Sequence, residues 1–201
     1  MQRRTFLAGA TATLALALGG SPALAAKVSL DDVLHDPAAP EGGNLKGDLT
    51  IVAFSDYNCP FCKKAEPDLA RAVRDDGNIR LVYKDWPILT QASVYGARMA
   101  LAAHYQGAYE RAHHALMSID RRGVSQDDME KALAAAGVDM TRLAADLEAN
   151  KKDITALLAR NMDQADALGL QGTPTYLIGP LLASTLDYDG FRAAIAEARR
   201  S

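Results

Sequence analysis

The sequence has only two cysteines in 201 residues, Cys59 and Cys62. A tetrahedral zinc site needs two further Cys or His ligands, and the four histidines offer no second short-spaced pair in a suitable context. A structural disulfide is also disfavoured, because a bridge that closes so short a loop constrains the unfolded chain very little. These absences favour redox chemistry at the pair over either structural role.

The chain also lacks a basic stripe with interleaved aromatic residues, so nothing predicts a nucleic-acid partner. Two of the 22 basic residues and none of the 25 acidic ones lie in residues 1–25, so the remainder has a formal net charge of −5. A reduced pair of thiols can hold Cu(I). With six methionines and no Met- or His-rich tract, copper handling is the least favoured alternative. No cofactor and no metal site is predicted.

The N-terminus has the three parts of an export signal. Arg3 and Arg4 precede an uncharged run over residues 6–20, and Ala23-Leu24-Ala25 supplies a small-residue cleavage site. The run is too short for a comfortable transmembrane helix. The pattern predicts a signal peptide over residues 1–25, cleaved near Ala25, and a mature protein in the periplasm. A twin-arginine signal is favoured, with an ordinary Sec signal as the alternative.

The two cysteines follow an apolar run, residues 50–54, that is typical of a buried strand, and they precede a stretch of helical composition over residues 63–74. A strand that passes into a helix at Cys59 places that sulfur at the helix N-terminus. Unpaired N–H groups and the helix dipole favour a thiolate there. Because a thiolate is the species that attacks disulfides, the arrangement suits thiol–disulfide exchange.

The remaining pattern predicts one domain, residues 49–201, after a polar lead-in over residues 26–48 that holds a short helix and a loop. The predicted elements are a strand at 50–55, a helix at 60–76 and a strand at 79–86; helices at 91–105, 108–118, 125–136, 140–149 and 151–168; and a strand at 175–178, a hairpin partner at 181–183 and a helix at 189–200. The first three form a βαβ unit with parallel strands.

Three segments in this order, residues 56–62, 83–88 and 168–175, closely resemble the DsbA-like family of thioredoxin-fold thiol–disulfide oxidoreductases. The resemblance extends over about residues 31–198. It implies an α/β thioredoxin fold, with a helical insertion at about residues 91–168 between the βαβ half and the ββα half.

The resemblance also implies a role for each residue of the site. Cys59 matches an exposed nucleophile and Cys62 a more buried resolving cysteine. Pro174 matches a cis-proline across from the sulfurs, where Thr173 can pair with an extended client chain. The implied substrate-binding residues are Pro60, Phe61, Thr173 and Pro174.

Two positions depart from the family pattern. Ala53 stands where many relatives have a buried acid that assists proton transfer at the resolving thiol, and water, Asp56 or Lys84 could take that role. Phe61 stands where the strongest oxidants have histidine. Because Phe61 cannot donate a hydrogen bond to the thiolate, a milder oxidant is expected.

The expected activity is that of a protein-disulfide oxidoreductase that mainly introduces disulfides into unfolded or reduced exported proteins. A membrane redox partner would recycle the cysteine pair, and a monomer is favoured. A disulfide isomerase or reductase is the alternative, because Thr173 before the proline also occurs in such relatives. Those relatives oligomerise through an N-terminal module, and residues 27–48 are too few for a separate domain.

Overall fold

The computed structural model describes residues 28–201; the predicted signal peptide lies outside this range. In chain order the elements are α1 (Leu30–Leu34), β1 (Glu41–Gly43), β2 (Leu49–Ser55), α2 (Pro60–Asp76), β3 (Ile79–Asp85), α3 (Gln91–His104), α4 (Tyr109–Met117), α5 (Gln126–Ala135), α6 (Met140–Ala149), α7 (Lys151–Ala167), β4 (Thr175–Ile178), β5 (Leu181–Ser184) and α8 (Tyr188–Ala198). No helix of the described residues is long and apolar enough to cross a membrane.

The strands form one sheet in the order β1-β3-β2-β4-β5. Strands β2 and β3 run parallel, with Leu49 opposite Ile79 and Ser55 opposite Asp85. The other neighbours are antiparallel. The predicted order is confirmed: a βαβ half (β2-α2-β3) and a ββα half (β4-β5-α8) with five helices between them. Because β2 and β3 are parallel, their carboxyl ends, and the loops that follow them, meet at one edge of the sheet.

The sheet is buried on both faces, which explains why its central strands are continuously apolar rather than alternating. On β2, Ile51 and Ala53 contribute to the larger core, which includes residues of α2, α8 and α3–α7. Val52 and Phe54 contribute to the smaller core on α1 and α7. The smaller core also contains the single tryptophan, Trp86. The ring centroids of Trp86 and Phe54 are 6.0 Å apart in an edge-to-face arrangement, and Trp86 Nε1 donates to the sulfur of Met162 at 3.1 Å.

The segment before β2 is more ordered than a polar lead-in with a helix and a loop. Helix α1 is present, but the predicted loop contains strand β1, which pairs with the outer side of β3. Gly43 has a φ of 66°, and a Cβ there would lie 2.5 Å from the carbonyl oxygen of Ile79. Gly43, one of the glycines that predict a loop, is therefore required by the close approach of β1 and β3.

A buried ion cluster fastens the same segment to the sheet and to α7. Asp36 accepts from Lys84 Nζ at 2.9 Å and from both Nε and Nη2 of Arg160, at 2.9 and 3.0 Å. The side chains of Asp36 and Lys84 are almost fully buried. Burial opposes ionisation of Asp36, but Arg160 and Lys84 outweigh it and lower its pKa to about 2. Since burying a charge is costly unless it is paired, the three groups depend on one another.

Candidate active site

A tight turn between β2 and α2 places Cys59. Asp56 is fully buried, and its two carboxylate oxygens accept the backbone N–H groups of Asn58 at 2.7 Å and of Leu89 at 3.0 Å. Its carbonyl oxygen accepts the N–H of Cys59 at 3.0 Å. Asp56 thus holds the start of α2 against the loop after β3, and its carboxylate is committed to this role.

Cys59 is the N-cap of α2, and Pro60 occupies the first helical position, where its missing N–H removes no bond. The sulfur of Cys59 lies 3.3 Å from the N–H of Cys62 and 3.2 Å from the carbonyl oxygen of Thr173. The thiol can donate to that carbonyl, whereas the thiolate accepts from the helix N–H. The unpaired N–H groups at the start of α2 are therefore placed where they can stabilise a Cys59 thiolate.

The two thiols differ in acidity and not in exposure. Cys59 was expected to be exposed, but it is 3% exposed and Cys62 is 2% exposed, because the loop at Thr173 covers Cys59. A hydrogen bond from the Cys62 thiol, with smaller contributions from the Thr173 side chain and the helix N–H groups, lowers the pKa of Cys59 to about 6 against the effect of burial. Burial, and donation to Cys59, raise the pKa of Cys62 far above its ordinary value.

The ββα half of the fold places the loop that contains Thr173 and Pro174 next to the sulfurs. Strand β4 pairs antiparallel with β2, so the residues just before Thr175 lie beside the end of β2 and the turn to Cys59. The Thr173–Pro174 peptide bond is cis, and Thr175 Oγ1 donates to the Gly172 carbonyl at 2.6 Å. Cys59 and Thr173 are therefore in direct contact, although 114 positions separate them in the sequence.

The surface beside the sulfurs is partly apolar. Pro60 and Phe61 are exposed, Phe61 by 58%, whereas Pro174 is buried in the loop. Ile88 and Leu89, 38% and 50% exposed, stand in the loop after β3, at the same edge of the sheet. Sequence reasoning included Ile88 only in the family-like segment 83–88, and it assigned neither residue to the site. The available signal was an apolar pair directly after Pro87, at the end of a strand predicted to run parallel to β2.

A buried acid that sequence reasoning also missed lies one helical turn after Cys62. Glu66 is 6% exposed and faces His113 Nε2 at 3.3 Å and His114 Nδ1 at 3.2 Å. His113 is in turn hydrogen-bonded through Nδ1 to the Tyr57 hydroxyl at 3.0 Å. Burial opposes ionisation of Glu66, but the two histidines outweigh it and lower its pKa to about 2.

A second buried acid, Asp85, ends β3 in the same polar region. It accepts from the Tyr109 hydroxyl at 3.1 Å. Burial raises its pKa to about 6, although the neighbouring His113 charge and the hydroxyls of Tyr57 and Tyr109 act in the opposite direction. Of the groups named from sequence as proton routes to Cys62, Lys84 and Asp56 are both occupied elsewhere, by Asp36 and by backbone N–H groups respectively.

Residues 50–196 match the family described as DSBA-like thioredoxin domain. A thioredoxin-like oxidoreductase from Silicibacter pomeroyi DSS-3 is 37% identical, with a TM-score of 0.80 over 87% of this chain and 99% of that one. The thiol-disulfide exchange protein alpha-DsbA2 from Wolbachia pipientis is 28% identical, with a TM-score of 0.77 over 83% of this chain and 90% of that one.

Similarity also extends to part of a larger protein. The Na(+)/H(+) antiporter NhaA 3 of Salinispora tropica is 28% identical over 154 residues, which are 71% of this chain. This chain spans only 22% of the antiporter's length. The similarity thus concerns one segment of that protein. Because the match over residues 50–196 covers most of this chain, the chain belongs to the DSBA-like thioredoxin domain family.

Proposed function

We propose that the protein is a periplasmic oxidant that introduces disulfides into exported proteins through a Cys59–Cys62 redox pair. The observation that carries the proposal is the position of the Cys59 sulfur at the N-terminus of α2, 3.3 Å from the N–H of Cys62, with the Cys62 thiol buried behind it. This arrangement lowers the pKa of Cys59 to about 6 and raises that of Cys62. A stabilised thiolate makes the reduced enzyme favourable relative to its disulfide, which is the property of an oxidant.

In the proposed reaction a client thiolate attacks the Cys59 sulfur of the disulfide. A client–Cys59 bond forms, the Cys59–Cys62 bond breaks, and Cys62 leaves as a thiolate that takes a proton, as its raised pKa favours. A second client thiolate then attacks the client sulfur of the mixed disulfide. Cys59 leaves as a thiolate, which its lowered pKa makes easy. The client loses two electrons and the enzyme gains them.

The surroundings of Cys59 provide a place for the client chain. The backbone of Thr173 next to the sulfur can pair with an extended segment. Phe61, with Pro60 and the Pro174 loop, offers apolar contact that does not depend on a particular sequence. These four residues are the proposed client-binding set.

The proposed location rests on the N-terminal sequence, where Arg3 and Arg4 precede an uncharged run and a small-residue cleavage site. Disulfides persist in the bacterial periplasm, so an exported thiol pair can work there as an oxidant. A membrane redox partner that accepts the two electrons from reduced Cys59 and Cys62 would complete the cycle.

Isomerase or reductase activity is the second candidate, favoured by Thr173 beside Cys59. The two candidates differ in the state of the pair in the cell. Acid quenching of intact cells, followed by alkylation of free thiols, should find Cys59 and Cys62 mainly oxidised if the protein is an oxidant. A mainly reduced pair would support the isomerase or reductase.

Substitution of each cysteine tests the assigned roles. Cys59→Ser should abolish dithiol-peptide oxidation, whereas Cys62→Ser should accumulate mixed disulfides with clients, because the resolving thiol is missing. The thiol of the Cys62→Ser variant provides a second measurement, since its alkylation rate should follow a pKa below the ordinary ~8.5. Mixed disulfides in Cys59→Ser and none in Cys62→Ser would reverse the assignment.

A further inference from the structure

A groove begins at the residue next to Cys59 and follows the first two turns of α2. Its volume is about 660 Å³. One wall is α2, and the other is the end of α4 with the loop that follows it. Pro60 lines the end of the groove nearest Cys59. The charged residues that line the groove are Lys63, Lys64, Asp120, Arg121 and Arg122.

The groove carries four basic side chains and one acid, although the chain as a whole has a formal charge of −3. Two of the cations are already engaged: Lys63 Nζ donates to the Ile119 carbonyl at 2.7 Å, and Arg121 pairs with Asp128 at 2.9 Å. Lys64 and Arg122 are exposed, and neither takes part in an ion pair within residues 28–201. The positive charge is therefore local and available to a ligand.

The shape of the site indicates an extended peptide as its occupant. The groove is concave, whereas a membrane-binding face has to lie flat on the lipid headgroups. From Pro60 to Pro67 the helix rises about 10 Å, a distance that about three residues of extended chain cover. A chain bonded to Cys59 would therefore pass Lys64 and Arg122 within a few residues of its own cysteine.

We infer that this groove binds acidic side chains of the client segment attached to Cys59, so that clients with Asp or Glu about three residues from the reacting cysteine are oxidised fastest. This inference rests on the proposed function. Opposite charges on the groove and on the client raise the association rate, and the effect weakens as salt screens them.

The test uses the oxidised protein and three dithiol peptides that differ only in Asp, Asn or Lys residues about three positions from the first cysteine. At about 20 mM salt the Asp peptide should react roughly five- to tenfold faster than the Asn peptide, and at about 0.5 M salt the difference should fall below about twofold. The variant Lys64→Glu/Arg122→Glu should reverse the order of the Asp and Lys peptides.

A matched control is Lys151→Glu/Lys152→Glu, which makes the same change in net charge at exposed positions of α7 outside the groove. It should keep the preference for the Asp peptide. Equal rates for all three peptides, or the same loss of preference in both variants, would overturn the inference. Failure to oxidise even the Asn peptide would instead contradict the proposed function.

A membrane-binding surface predicts a different result. Vesicles with about one-third anionic lipid would then sediment the wild-type protein but not Lys64→Glu/Arg122→Glu, while the peptide rates stayed independent of charge. That combination would also overturn the inference.

Discussion

At the scale of single residues, the dipeptide between the cysteines can be altered with little effect on packing. Phe61 is 58% exposed beside the Cys59 sulfur, whose pKa is about 6. The side chain contributes apolar surface but no hydrogen-bond donor. The Cys59 thiolate is stabilised by the Cys62 thiol, the Thr173 side chain and backbone N–H groups, and a donor at position 61 would add to them.

Phe61→His should make the enzyme more oxidising, since an imidazole can donate to the thiolate or carry a positive charge near it. Each further unit by which the Cys59 pKa falls corresponds to about 1.4 kcal/mol, or about 30 mV for a two-electron couple. The potential can be measured by equilibration with glutathione. Phe61→Leu serves as the control and should leave it unchanged; an unchanged or more reducing Phe61→His protein would contradict the argument.

At the scale of elements, sequence patterns predicted the helices and central strands well, because each has a local signal. Helix α2 extends over Pro60–Asp76 and strand β4 over Thr175–Ile178, as predicted. Strand β1 was missed since Glu-Gly-Gly has low strand propensity, and its pairing with β3 is a long-range contact. The exposure of Cys59 was wrong for the same reason: its cover, Thr173, is distant in sequence.

The ion cluster of Asp36, Lys84 and Arg160 joins three elements that sequence patterns describe separately. Asp36→Ala should lower the free energy of unfolding by about 3–5 kcal/mol, because it leaves the buried Lys84 ammonium unpaired. Chemical denaturation measures the loss. Asp127→Ala, which removes the exposed pair with Lys131, should cost less than about 1 kcal/mol.

The pH dependence of the same cluster follows from the lowered pKa of Asp36. The pKa of about 2 in the folded protein lies below the ordinary value of 3.8 for this side chain. The contribution of the ionised Asp36 to the free energy of unfolding is therefore present above about pH 4 and is lost as the pH falls towards 2. If Asp36→Ala and Asp127→Ala had equal effects at neutral pH, the cluster would not be a main contributor to stability.

At the scale of the whole molecule, Asp85 gives the fold a stability cost at neutral pH. Its pKa of about 6 in the folded protein exceeds the ordinary value of 3.8 for this side chain. The contribution of the protonated Asp85 to the free energy of unfolding is therefore complete below about pH 4 and is lost as the pH rises through 6. Asp85→Asn, which mimics the protonated acid, should be more stable than wild type at pH 8 by up to about 3 kcal/mol.

The Asp85→Asn gain should disappear near pH 4, where wild-type Asp85 is also neutral. Unfolding free energies from urea titrations across this pH range measure the difference. The exposed acid Asp163 provides the control, and Asp163→Asn should show no comparable gain at high pH. A gain that is the same at pH 4 and pH 8 would show that packing, and not ionisation, is responsible.

The position of Trp86 has an optical consequence. It is the only tryptophan in the chain and is 4% exposed, between Phe54 of the sheet and Met162 of α7. Its indole emission therefore comes from a single contact between the sheet and α7. During unfolding, a red shift of that emission would report when water reaches this contact. The measurement needs no label and no modification of either thiol.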